Sequence, residues 1–159
     1  MFDLENLILD ILDDLNTIQL TILSGQNGDK PPMPYAEINI IADTLNSDYS
    51  KLEVIEGTTD ITKKYTDVTN LTLSITHHAK SNLETTIKQM RDYFLYSHDI
   101  VALENKYSMS IINKPSISNR DTVLNVEHEL IKGFDVTMSI DDVVEITDTF
   151  IEEVDVKEA

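Results

Sequence analysis

Cysteine is absent from the 159 residues, which removes disulfide frameworks, thiolate zinc sites and cysteine nucleophiles together. Tryptophan is absent as well, and four glycines in the whole chain leave little scope for a phosphate-cradling loop. Basic side chains are scarce: 12 Lys plus Arg stand against 29 Asp plus Glu, a formal charge of -17. A surface so unbalanced does not attract phosphate backbones or anionic membranes, so DNA near this protein is expected to pass without specific binding. No apolar run approaches the ~20 residues of a membrane span. The first such run, residues 7–15, is interrupted by Asp10, Asp13 and Asp14, unlike the apolar centre of a signal peptide. A protein made and used in the cytoplasm is the expectation.

What is present suits one ordinary core, because 41% of the residues are hydrophobic and the length matches one domain. The expected division is residues 1–23 as an amino-terminal helix region, 24–34 as a Pro/Gly-rich loop and 35–156 as sheet and helices, all within one domain over 1–159. The acid excess gathers at the ends. Residues 1–23 hold five acids and no base, and residues 141–159 hold eight acids and one Lys. Such charge is most simply a solvated face, with docking of a basic partner or repulsion of DNA as the alternatives.

Leu4, Leu7, Ile8, Ile11, Leu12 and Leu15 recur at helical spacing and predict an amphipathic helix over 3–16. Residues 17–23 either extend it or begin a strand. Two glycines, three prolines and an Asn-Gly pair make 24–34 a loop. Alternation from Tyr35 to Ala42 predicts a strand, 51–56 a second one, and Gly57 to Asp60 the turn that ends it. Residues 64–79 predict a long strand, with Leu71, Leu73, Ile75 and His77 on one face. Ser81 and Glu84 have capping-box spacing for a helix reaching Tyr96, and Ser97 caps a short helix over 97–104. Residues 107–112 predict a strand.

The most regular stretch is 126–140. Its even positions are mostly apolar and its odd positions mostly polar, predicting a strand with one face on a core, with Gly133 placed for a bulge or bend. A last strand is predicted over 146–156, with Phe150 on its apolar side. The fold class is therefore α+β: a mostly antiparallel or mixed sheet of long strands against two to three helices.

Catalytic grammar is missing. His77 and His78 are neighbours in a strand and point to opposite faces, so they do not chelate one ion together. The pairs Asp13-Asp14, Asp141-Asp142 and Glu152-Glu153 lack the shared pocket that an acid/base dyad needs. Neither G-x-S-x-G nor H-E-x-x-H occurs. No enzyme, cofactor or metal is expected.

An amino-terminal helix, the Pro-rich loop Lys30-Pro31-Pro32-Met33-Pro34-Tyr35 opening into a strand, a long strand running into a helix, and Gly133-Phe134-Asp135-Val136 near the end together resemble the tail-terminator (neck-terminator, tail-completion) proteins of long-tailed bacteriophages. The resemblance covers roughly 3–156. It implies a structural virion protein of the tail or neck that forms a ring, typically a hexamer, capping the tail tube and joining it to the head connector. The implied partners are further copies of the chain, the tail tube, possibly a sheath, and a head-completion protein. Candidate subunit-interface residues are Pro32, Pro34 and Tyr35 at the loop, and Phe134 and Phe150 in the late strands. The competing readings are another head–tail joining or tail-assembly protein and a non-catalytic monomeric α+β binding module.

Overall fold

A computed structural model describes residues 3–81, 83–121 and 129–149, with the backbone alone at 42–50 and 83. The fold is α+β, built from helices α1 (Leu4–Asn16), α2 (Leu83–Tyr96) and α3 (His98–Tyr107) and strands β1 (Thr21–Leu23), β2 (Tyr35–Glu56), β3 (Asp60–Ala79), β4 (Met109–Ile111), β5 (Ser118–Asn119) and β6 (Leu130–Thr149). The strands form one sheet in the order β1-β2-β3-β6-β4, with β5 also on β6. β1 lies parallel to β2, and the other pairs are antiparallel.

Helix α1 starts where Asp3 Oδ1 accepts the Asn6 N–H at 3.1 Å, satisfying a donor that the first turn leaves without a partner. Its last turn has acids and no base, so the macrodipole is not compensated there. Burial holds it instead. Leu7, Ile11 and Leu15 are fully covered, and each such side chain contributes about 1.5–3 kcal/mol. Two of its carboxylates also tie it to the other helices, Asp10 accepting from Lys106 Nζ at 2.7 Å and Asp14 from the Tyr93 hydroxyl at 2.6 Å. Ser97 caps α3 by accepting the Ile100 N–H at 3.0 Å.

The core lies between the helices and one face of the sheet, the inner face. Odd positions of β3 (Leu71, Leu73, Ile75), even positions of β6 (Phe134, Val136, Met138, Ile140) and Ala36 and Ile38 of β2 supply that face, with Ile87, Met90 and Phe94 of α2 against it. The outer face is polar. Thr72 and Thr137 are in hydroxyl contact across β3 and β6 at 3.1 Å, and Arg120 reaches Ser74 at 2.6 Å, Thr76 at 3.1 Å and Asp135 at 2.8 Å.

The main strands are longer than the pattern predicts. The segments expected as separate strands before and after residues 43–50 are both parts of β2, which runs on to Glu56 through register shifts between Ile40 and Ala42 and between Asn46 and Lys51. The late strands expected over 126–140 and 146–156 are likewise joined: β6 continues through Asp141 and Asp142 to Thr149, paired with β3 from Ala79↔Leu130 to Asp60↔Thr149. Residues 126–128 and 150–156 of those expectations lie outside the described residues. Gly133 makes no bulge, because the register with β3 runs through it unbroken. Tyr107, expected in a strand, ends α3 instead, and Ser108 follows in the left-handed region at φ 52°.

Candidate assembly surface

Beyond the helices the sheet continues as a three-stranded arm. The inner edge of this arm is marked by Asp141, whose N–H donates to Ser108 O at 2.9 Å just past the end of α3; the tip is a turn in which the Gly57 N–H donates to Asp60 O at 2.8 Å. Within it β3 is central, flanked by β2 and β6, and neither β1, β4 nor β5 reaches that far. Among the described residues no further strand pairs with either outer edge.

Cross-strand partners share a face, and the register sorts the arm into two. On the side continuous with the inner face the rows are Leu52–Tyr65–Val144, Val54–Lys63–Ile146 and Glu56–Ile61–Asp148. Six of those nine side chains are apolar. The opposite rows, Lys51–Thr66–Val143, Glu53–Lys64–Glu145 and Ile55–Thr62–Thr147, contain two. The alternation that builds the core thus persists where no described helix covers it: Leu52, Val54, Val144 and Ile146 are 54%, 51%, 48% and 48% exposed. Apolar side chains gathered on one face and left in water mark a contact surface.

The loop over 24–34 meets the opposite end of the sheet. It is tethered by the Ser24 N–H to Ile38 O and by Gln19 Nε2 to Pro34 O, both at 2.8 Å, and with β1 and Glu37 it borders an open cleft of about 520 Å³. Behind it Tyr35 stacks on His78, ring centres 4.6 Å apart. His78 Nδ1 lies 2.6 Å from Glu129 Oε1, and its other nitrogen 3.6 Å from Glu37. Burial, with Glu37 and Glu129 nearby, pushes the Tyr35 hydroxyl pKa up. His77 faces the core, and neither of its ring nitrogens has a hydrogen-bond partner among the described residues; burial and the neighbouring His78 push its pKa down. These groups form a packed, polar underlay for the loop.

Compared with known protein families, residues 3–159 match the one described as phage neck terminator protein. The chain belongs to the phage neck terminator family. A search among curated proteins finds no match. Membership gives the protein a structural role in the phage neck, within the virion and in contact with other head or tail proteins.

Within this neck terminator fold the residues expected at an interface separate. Pro32 and Pro34 are exposed on the loop. Tyr35 is 4% exposed, its ring covered by His78. Phe134 is fully buried, edge-on to Phe94 at 5.9 Å, and so presents no surface to a neighbour in this conformation. Phe150 lies outside the described residues. The arm residues Leu52, Val54, Val144 and Ile146 escape the sequence reading as a group, because the two halves of their surface are about ninety positions apart. Their local signal is the apolar pair at i and i+2 in each strand.

Proposed function

We propose that this neck terminator protein closes into a ring of identical subunits, hexameric as the resemblance implies, that caps the tail tube and joins it to the head connector. The uncovered apolar face of the arm supports this reading most. A monomer gains nothing from holding Leu52, Val54, Val144 and Ile146 exposed on one extended sheet face, whereas a subunit in a ring uses such a face on every copy. The subunit acts as one folded unit with no catalytic role. Tube, any sheath and the head-completion protein meet it on the two sides of the ring. The net charge of -17 makes the channel wall repel DNA, so the genome passes without being held.

Light scattering on the purified chain, with negative-stain images, tests the ring. The expected mass is several times 18.0 kDa, with annular particles. A protein that stays at the subunit mass at every concentration and salt overturns it.

A further inference from the structure

At the start of α2 an open cleft of about 300 Å³ lies between the end of β3, the approach to Tyr35 and the first turn of the helix. Most of its polar side chains are idle. His77, 1% exposed, borders it from the core side, and neither ring nitrogen has a partner among the described residues; a buried polar group left so costs its full desolvation. Lys80, Ser81 and Thr86 line the cleft as well, and none of these three side chains has a hydrogen bond or ion pair with any described residue. Four polar groups that converge without serving one another are placed for a ligand.

The cleft is locally positive in a protein that is otherwise acidic. Lys80 brings a full charge, and the 14-residue α2 presents the positive end of its macrodipole there. No described Asp or Glu borders the cleft. Glu84, the acid of the first turn of α2, accepts instead from Lys132 Nζ at 3.0 Å. Part of the wall is apolar, with Met33 and Pro34 supplying it. A ligand that suits both parts has anionic oxygens at one end and methylenes at the other.

We propose that this cleft binds a carboxylate on an aliphatic stem: Lys80 and the hydroxyls of Ser81 and Thr86 hold the oxygens at the start of α2, His77 donates its ring N–H from beneath, and the stem lies along Met33 and Pro34. A neutral imidazole has one N–H to give and a carboxylate accepts it. Two sources carry this chemistry, a free short-chain acid and an acidic side chain of a second copy. The site itself does not depend on the ring.

Butyrate is the probe, added to the purified chain against sodium chloride at constant ionic strength, with the ring signals of His77 followed by NMR. A saturable shift is expected, the neutral butyramide gives none, and phosphate binds more weakly for want of a stem. Lys80→Met is expected to weaken butyrate about tenfold, the effect of losing one charge-assisted contact. Lys88→Met, on the same helix outside the cleft, leaves it unchanged. No saturable shift, butyramide binding as well as butyrate, or indifference to Lys80→Met overturns the site, and phosphate binding as tightly as butyrate overturns the carboxylate assignment. Repeating the titration on assembled protein separates the sources: butyrate excluded there marks the ligand as a neighbour's acidic side chain, and butyrate still bound there marks it as a free acid.

Discussion

Arg120 crosses β6 over the backbone of Gly133, its Cζ 2.8 Å from where a β-carbon on that glycine would stand. The same position lies 2.5 Å from Ile75 O, so there is no room for a side chain on the outer face at this point. The missing side chain lets the guanidinium reach Ser74, Thr76 and Asp135 and clamp β6 to β3.

Gly133→Ala is therefore expected to destabilise the subunit although Ala suits a strand better than Gly. Overpacking against a backbone carbonyl costs about 1–3 kcal/mol. Urea denaturation measures it. An unchanged midpoint refutes the close approach.

The two ends of β6 should respond differently to truncation. Phe134→Ala removes a fully buried ring and is expected to cost about 3–5 kcal/mol, while Ile146→Ala on the arm stays within about 0.5 kcal/mol in the unassembled subunit. Ile146→Ala acts on assembly, read by light scattering. Equal losses of subunit stability place the arm in the subunit's own core.

Acid should weaken the fold through His77. His77 is buried, and its folded pKa is depressed, so the unfolded chain takes up a proton first, near pH 6.5. Stability is full above that value and falls as the pH drops from it towards the folded pKa, by up to about 1.4 kcal/mol per unit. His77→Leu flattens this window in denaturation midpoints measured from pH 7.5 to 5. If variant and parent fall in parallel, other groups carry the loss.

Assembly should strengthen with salt. Copies charged at -17 repel one another over the Debye length, about 8 Å at physiological ionic strength and about 3 Å at 1 M. The concentration at half-assembly is expected to drop as NaCl rises from 0.05 to 0.5 M, and a rise refutes net repulsion as the barrier.

Where a segment borders the core, its place was legible from spacing. Leu71, Leu73 and Ile75 against Thr72 and Ser74 announce a one-sided strand, and Leu7, Ile11 and Leu15 announce a helix, because burial on one side imposes a period. The arm is different. Asp141-Asp142 read as a break, yet the hydrogen-bond ladder runs straight through them. Two adjacent acids put charge on both faces of the strand at that point, so the alternation is interrupted there and resumes at Val144 and Ile146 while the strand does not break. Gly133 was legible as special but not for its reason, since its partner Arg120 arrives from another segment. Phe134 was legible as apolar, but only the packing of Phe94 against it separates a core residue from a contact residue. The family was legible from the order of elements and from the Pro-rich approach to Tyr35.

The register of β3 also sets an order in time. Its pairing with β2 closes through the turn after Glu56, a short loop that zips within microseconds. Its pairing with β6 joins positions 51 to 89 residues apart, from Ala79↔Leu130 to Asp60↔Thr149, which is slower because the loop must close before any bond repays it. While the ribosome is still making β6, one whole edge of β3 stands unpaired. Asp60, Lys63, Lys64 and Asp67 along the distal part of that strand keep it charged against pairing with another nascent chain.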